Sequence, residues 1–206
     1  LQAIIDRCRD HSIDAEIVLV LSNNPEAGAL ERARQAGLPC RCINHRDYES
    51  RESYDQGLVD ALQEAQVDLV VLAGFMRLIT PVLLDAFPGR IMNIHPALLP
   101  AFPGLHVQRK AIEYGARFSG CTVHFVDNGV DTGPIIIQAV VPVLDDDTEA
   151  TLAARILKQE HRIYPQAIQL FAQGRLQIEG RRVRILPPLT PPDNALTNPP
   201  VEISET

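Results

Sequence analysis

Apolar residues in the first half of the chain follow two alternating patterns. Short continuous apolar runs at 15–21 and 67–73 are typical of strands buried on both faces of a sheet, and the segments 39–43 and 90–94 are also predicted to be strands. Segments with apolar residues at helical spacing lie between them, at 1–10, 26–36, 50–65 and from Pro81 to Phe87. This alternation predicts an α/β fold, a parallel sheet with helices on both faces.

The second half of the chain changes character. A proline-rich loop at 96–104 leads into the predicted elements, which are a helix at 106–114, strands at 121–126 and 134–143, a helix at 148–173 and a hairpin of 177–178 with 183–185. A short loop joins the two strands, so we expect them to be antiparallel. Pro165 should kink or divide the long helix. The predicted fold class is therefore a Rossmann-like sheet, mostly parallel with an antiparallel C-terminal part.

The two ends of the chain differ in character from the rest. The sequence opens as LQAIID, which is typical of the inside of a helix, and no capping residue precedes it. We therefore expect a first strand ahead of Leu1. Residues 1–186 are predicted to form one domain, and the tail 187–206, with six prolines and few apolar residues, is expected to be disordered.

Composition narrows the classes of partner. The formal net charge of −7 argues against nucleic acid and anionic membranes. The four cysteines form no CxxC pair, so we expect reduced thiols and no zinc site. There is no apolar run of about 18 residues that could cross a bilayer, and no signal peptide. We expect a cytoplasmic protein, a monomer or homodimer, that acts on small molecules.

The predicted strand at 90–94 contains Asn93 near its end, and His95 follows directly after it. These two residues are the first candidates for a functional site. Open α/β sheets bind ligands at the carboxyl ends of their strands. Residues two apart on a strand share a face, so both side chains should point into one cleft. An amide that donates hydrogen bonds and an imidazole that carries a proton suit acyl transfer to an amine. The alternative is a capping asparagine and a structural histidine.

The loop between the two antiparallel strands contains a second candidate, Asp131. A carboxylate close to His95 would orient the imidazole and favour its charged form. The alternative is that Asp127, Asn128 and Gly129 form only a hairpin turn. That interpretation leaves Asp131, Thr132 and Gly133 without an explanation.

Taken together, these segments resemble the folate-dependent formyltransferases, with most similarity to the branch that acts on glycinamide ribonucleotide (GAR). The matching motifs are LERARQAG (30–37), SRESYD (50–55), VVLAGFMRLITP (70–81), NIHPALLPAFPG (93–104), GCTVHFV (120–126), GVDTGPIIIQ (129–138) and KQEHRIYP (158–165). The resemblance extends to about Leu186. It implies a formyltransferase-type fold and an enzyme of purine biosynthesis that uses 10-formyltetrahydrofolate as co-substrate and no metal.

The resemblance also implies roles for individual residues. His95 would be the general acid, Asn93 would hydrogen-bond the oxyanion and Asp131 would orient and charge His95. The implied folate-binding residues are Arg51, Met76, Arg77, Leu78, Ile79, Val126, Asp127, Asn128, Gly129 and Val130. Glu160 would contact GAR, and His124 would supply a supporting hydrogen bond. Taken singly, the apolar members could be ordinary core residues and Arg51 and Glu160 could be solvated charges.

Several alternatives remain at this stage. Formyltetrahydrofolate hydrolase shares the Asn–His–Asp arrangement, as does transfer-RNA formyltransferase, although the short tail is not the basic domain that the latter needs. A dinucleotide-binding Rossmann protein is disfavoured because no GxGxxG follows a strand. The glycine-rich loop that holds the substrate phosphate in this family would precede Leu1. A non-catalytic binding fragment is therefore the remaining alternative.

Overall fold

The computed structural model describes residues 1–189, in which α-helices and strands alternate as far as residue 125. The helices are α1 (Gln2–Arg9), α2 (Gly28–Gln35), α3 (Arg51–Glu64), α4 (Pro81–Ala86), α5 (Val107–Tyr114) and α6 (Glu149–Ala172). The strands are β1 (Val20–Ser22), β2 (Cys40–Cys42), β3 (Val70–Leu72), β4 (Ile91–His95), β5 (Phe118–Phe125), β6 (Ile135–Pro142), β7 (Leu176–Glu179) and β8 (Arg182–Ile185). The predicted tail at 187–206 lies outside the described residues, apart from its first three positions.

Local sequence explains where the longest helices begin. The side chains of Ser50 and Thr148 each accept a hydrogen bond from the backbone of the residue three positions later, and those residues return the bond. Such reciprocal caps satisfy backbone N–H groups that would otherwise lack partners. Pro165 lies inside α6 without dividing it. Its neighbours Tyr164 and Ile168 are buried in the core, so tertiary packing offsets the backbone hydrogen bond that proline cannot make.

Six strands form one sheet in the order β3-β4-β5-β6-β8-β7. Strand β4 pairs in parallel with β3 and antiparallel with β5, and β6 is antiparallel to β5 and parallel to β8. The predicted antiparallel pair and the C-terminal hairpin of β7 with β8 are confirmed. The predicted fold class is therefore confirmed: parallel strands in the first half and an antiparallel C-terminal part.

Strands β1 and β2 pair in parallel as a separate small sheet. The strand predicted at 15–21 was wrong in extent, because only its last two residues belong to β1. Residues 15–19 form no backbone ladder with another strand in the described part of the chain, and Val18 is exposed. The expected strand ahead of Leu1 stays a prediction.

Adjacent residues of β4 show that both faces of the large sheet are covered. Met92 packs in a core cluster with Leu152 and Ile156 of α6, whereas Ile91 packs in a second cluster with residues of α3 and α4 such as Leu58. Because side chains alternate along a strand, these clusters lie on opposite faces of the sheet. No helix among residues 1–189 is long and apolar enough to cross a membrane.

Candidate active site

The register of the central strands places Asn93 beside a histidine of the next strand. Asn93 of β4 lies directly opposite His124 of β5, and cross-strand partners on one face are in contact distance. Nδ2 of Asn93 is 3.3 Å from Nε2 of His124. His95, two residues further along β4, lies opposite Thr122. The carboxyl end of β4 therefore carries the amide and, with β5, two imidazoles.

The loop after β5 brings Asp131 onto these groups. One carboxylate oxygen, Oδ2, lies 3.4 Å from Nδ1 of His95, and the other, Oδ1, lies 3.8 Å from Nε2 of His124. The side chains of His95, His124 and Asp131 are 5%, 2% and 13% exposed, so their charges interact with little screening by water. Asn93, His95, Asp131 and His124, all predicted from sequence, thus form one contiguous cluster.

The backbone of this loop is held in an uncommon conformation. Asp131 has a φ of 55°, in the left-handed region that non-glycine residues seldom occupy. Backbone strain of this kind persists only where the surroundings hold it, and it is concentrated at functional sites. Two residues later, a Cβ on Gly133 would overlap the carbonyl oxygen of Phe125, so only glycine permits this close return of the chain.

The imidazole of His95 faces an oxygen acceptor at each ring nitrogen. Nε2 donates to the carbonyl oxygen of Phe102 at 2.9 Å, and Nδ1 faces Oδ2 of Asp131. A neutral imidazole carries one N–H and can satisfy only one of these acceptors, whereas the protonated ring satisfies both. In its protonated form the ring would donate to both acceptors, and that form is the one that a general acid requires.

The second imidazole, that of His124, has the opposite character. Its Nδ1 donates to the carbonyl oxygen of Phe125 at 2.8 Å, which leaves Nε2 to accept from the amide of Asn93 when the ring is neutral. Burial lowers the pKa of His124, and the Phe125 carbonyl and the Asp131 carboxylate offset only part of that effect. A neutral His124 fixes the orientation of the Asn93 amide. The second N–H of that amide has no hydrogen-bond partner among residues 1–189.

A buried threonine holds the loop that contributes Phe102. The hydroxyl of Thr122 donates to the carbonyl of Ala97 at 2.7 Å and accepts from the backbone N–H of Leu99 at 3.1 Å. Further along the same loop, the N–H of Gly104 donates to Oδ2 of Asp131 at 2.9 Å. These contacts fix the loop relative to His95 and Asp131. Sequence reasoning assigned none of them, because backbone donors and acceptors leave no residue-type pattern.

A family model described as formyl transferase matches residues 1–168. The chain belongs to the formyl transferase family. Glycinamide ribonucleotide transformylase 1 from Symbiobacterium toebii has a crystal structure similar to this one, with 57% sequence identity, a TM-score of 0.89 and coverage of 90% of this chain and 87% of that chain. Phosphoribosylglycinamide formyltransferase of Escherichia coli (strain K12) is 45% identical over 178 residues, which are 86% of this chain and 84% of that relative.

Longer relatives are similar to this chain over a small part of their length. The trifunctional purine biosynthetic protein adenosine-3 of Drosophila melanogaster is 53% identical over 176 residues, 84% of this chain, and the chain spans 13% of that relative. A formyltetrahydrofolate deformylase from Pseudomonas syringae has a TM-score of 0.82 at 23% identity, over 89% of this chain and 61% of that one. That likeness shows a shared fold alone.

In this formyl transferase, the segment predicted to contact folate follows β3. Met76 and Leu78 are exposed, at 77% and 55%, and present apolar surface of the kind that a flat heteroaromatic ring covers. The guanidinium of Arg77 lies over the ring of Tyr54, 5.3 Å from its centroid. Ile79 is half-buried and packs in the core cluster of α3 and α4, so its side chain anchors the end of the segment in the core.

The predicted opposite wall is the start of the loop between β5 and β6. Val126 is tied to β4 through the carbonyl of Ile91 and packs in the same core cluster. The carboxylate of Asp127 accepts from the N–H of Gly129 at 3.0 Å and from the hydroxyl of Thr132 at 2.6 Å. The turn interpretation therefore holds for Asp127 to Gly129, and the turn carries Asp131 into the site. Asn128 and Val130 are exposed.

Two charged residues predicted to bind substrate make no contact with the cluster of Asn93, His95, His124 and Asp131 among the described interactions. Arg51 is exposed at the start of α3 and makes no ion pair within the described residues. Glu160 is half-buried on α6, and burial raises its pKa. It also helps raise the pKa of buried Cys121 to about 12, with burial as the main cause. Leu157, three residues before Glu160 on α6, is exposed. The binding roles of Arg51 and Glu160 stay predictions.

Proposed function

We propose that this chain transfers the formyl group of 10-formyltetrahydrofolate to the amine of glycinamide ribonucleotide. The observation that carries the proposal is the cluster of Asn93, His95, His124 and Asp131 at the carboxyl end of β4. Membership of the formyl transferase family supports the chemistry, and the names of relatives with 45% and 57% identity support the substrate. Small-molecule partners and a cytoplasmic setting belong to the same proposal.

The first step forms a carbon–nitrogen bond. The GAR amine attacks the formyl carbon, and the formyl oxygen becomes an oxyanion in a tetrahedral intermediate. The second amide N–H of Asn93, which has no partner among the described residues, donates to that oxygen. The protonated ring of His95 supplies positive charge beside it. Preorganised donors of this kind stabilise a developing charge because they need no reorganisation during the step.

The second step moves one proton and breaks the bond to the folate. The attacking nitrogen loses a proton, and N10 of the folate gains one as the carbon–N10 bond breaks, so charge and protons balance. The Asp131 carboxylate accepts the proton of the amine through water, and His95, 3.4 Å away, donates a proton to N10 as general acid; transfer of a proton from Asp131 to His95 then restores both groups. Holding the two substrates side by side supplies a further part of the rate.

Hydrolysis of the same folate is the second candidate, because water could replace the amine as nucleophile over the same cluster. Deformylase similarity at 23% identity concerns the fold alone, which makes hydrolysis the weaker candidate. Release of tetrahydrofolate, followed by absorbance with and without GAR, separates the two. GAR-dependent turnover supports the transferase, and equal turnover without GAR would identify a hydrolase.

The same assay tests the roles of the cluster. We expect the His95→Ala variant to lose about 10²–10⁴-fold in kcat, the typical contribution of a positioned general acid. His11→Ala is the matched control, because His11 is exposed and lies outside the cluster. Full activity of His95→Ala would remove His95 from the mechanism.

A further inference from the structure

The segment Gly74–Ile79 between β3 and α4 is not held by secondary structure. Its backbone N–H and C=O groups make no hydrogen bond within residues 1–189. Backbone groups of this kind are available to a ligand, but their positions must be fixed by contacts outside the segment. The described contacts supply three anchors, at the start, the middle and the end.

The first two anchors are aromatic residues. At the start, the buried hydroxyl of Tyr164 on α6 lies 2.7 Å from the carbonyl oxygen of Leu72 and 2.9 Å from that of Met92, which ties β3 to β4. In the middle, Arg77 rests on the ring of Tyr54. An exposed cation on a ring contributes about 0.5–1 kcal/mol, so this contact alone fixes little.

The third anchor is a buried carboxylate, Asp55 of α3. Its Oδ2 accepts from the backbone N–H of Thr80 at 2.7 Å and from the hydroxyl of Thr80 at 2.8 Å. Asp55 is 1% exposed and has no ion-pair partner in the described part of the chain. A carboxylate removed from water is costly unless hydrogen bonds compensate, and an apolar residue would fill this position in a simple packing contact.

The hydroxyl of Thr80 donates to Asp55 and does not cap α4. Thr80 is the N-cap residue of α4, yet its side chain makes no capping hydrogen bond to that helix. N-cap threonines usually accept from the helix backbone, which stabilises the helix by about 1 kcal/mol. Here the hydroxyl is turned towards α3 and donates to Asp55 instead. The hydrogen bonds between Asp55 and Thr80 therefore hold the end of the segment Gly74–Ile79, which Thr80 directly follows, against α3.

We propose that Asp55 is a positioning residue for folate binding. Through Thr80 it holds Gly74–Ile79 against α3, so that the unpaired backbone groups face the heteroaromatic co-substrate. The inference rests on the proposed function, since it deepens the assignment of this segment as one wall of the folate cleft. A purely structural Asp55 would affect stability and leave folate affinity unchanged.

The test compares two substitutions at Thr80, which spare the buried carboxylate itself. Thr80→Val removes the hydroxyl donor, whereas Thr80→Ser keeps both hydrogen bonds. We expect Thr80→Val to weaken binding of 5-formyltetrahydrofolate, measured by calorimetry, by about 10-fold, because only about a tenth of the free molecules then hold the segment in its binding position. Its KM for 10-formyltetrahydrofolate should rise similarly while the KM for GAR stays within about twofold. Thr80→Ser should match the parent protein, and Asp55→Asn should add little to Thr80→Val in the double variant.

A matched control separates positioning from general loss of stability. Asp147 is another buried carboxylate, hydrogen-bonded to Arg155 near the start of α6, so Asp147→Asn should lower the melting temperature and leave folate binding unchanged. Unchanged folate affinity in Thr80→Val, or equal losses for folate and GAR with a lowered melting temperature, would overturn the inference. Parent protein that binds no folate would instead overturn the proposed function.

Discussion

At the scale of single residues, Asp131 is the carboxylate of the proposed site. It faces both imidazoles and also accepts the N–H of Gly104. In Asp131→Asn the amide cannot balance a protonated His95, so we expect kcat to fall by at least about 10²-fold. Steady-state kinetics at saturating folate and GAR measure the loss. Asp145→Asn is the control, because Asp145 is exposed and pairs only with Arg117 among acidic and basic side chains in the described contacts; a loss below tenfold in Asp131→Asn would contradict its role.

The buried His124 predicts how stability depends on pH. Burial lowers its pKa in the folded state, so between the unfolded value of about 6.5 and the lower folded value only the unfolded chain binds the proton. Protonation of His124 in the unfolded chain should therefore lower the free energy of unfolding as pH drops through about 6.5. Urea unfolding at neutral and mildly acidic pH measures the free energy of unfolding of the parent and of His124→Gln. We expect this free energy to depend less steeply on pH in the variant. His161→Gln on the exposed face of α6 is the control, and identical slopes in parent and His124→Gln would exclude the effect.

Residue types predicted Asn93, His95 and Asp131 as candidate site residues, but they did not predict the buried Asp55. Asn93, His95 and Asp131 were found because amide, imidazole and carboxylate groups follow predicted strands. Asp55 was missed as a single charge on a helix, although a signal was present. It shares an apolar stripe with Leu58, Val59 and Leu62, at spacings of three, four and seven residues. A carboxylate on a buried stripe requires a partner, and Thr80 is that partner.

At the scale of elements, the loop between β5 and β6 requires a glycine at position 133. A Cβ at Gly133 would overlap the carbonyl oxygen of Phe125, so Gly133→Ala should shift the loop and displace Asp131. We expect the free energy of unfolding to fall by about 1–3 kcal/mol, the usual cost of overpacking, and kcat to fall with it. Chemical denaturation and steady-state kinetics measure the two effects. Gly28→Ala is the control, since a Cβ there meets only an ordinary contact in α2; parent-like kinetics in Gly133→Ala would contradict this account of the loop.

The order of elements followed from periodicity, whereas their extents depended on neighbours. Apolar spacing alone predicted the alternation in the first half and the antiparallel strands after it. The strand at 15–21 shortened to its end because a strand requires a ladder partner, and Val20 to Ser22 are the residues that pair with β2. Helix α6 continued through Pro165 because core packing outweighed one missing hydrogen bond. Both differences come from tertiary contacts, which local patterns do not contain.

At the scale of the whole molecule, the sheet joins the two halves of the proposed site. Strand β3 leads into Gly74–Ile79, β4 ends in Asn93 and His95, and β5 leads into the Asp131 loop, on three adjacent strands. The loop after β5 starts beside the beginning of β4, where the N–H of Val126 donates to Ile91, and it folds back so that Asp131 reaches His95. Strand order therefore explains why the segment after β3 lies beside the end of β4, whereas contacts of the loop explain the position of Asp131.

The most direct test of the account is to follow the formyl group itself. The chain would be mixed with GAR and 10-formyltetrahydrofolate labelled with ¹⁴C in the formyl carbon, and the labelled products would be separated after single and multiple turnovers. The account predicts that the label passes to the GAR amine, and that His95→Ala and Asp131→Asn slow this transfer by at least about 10²-fold while His11→Ala does not. Label released as formate, or label retained on the folate by the parent protein, would contradict formyl transfer as the function of this cluster.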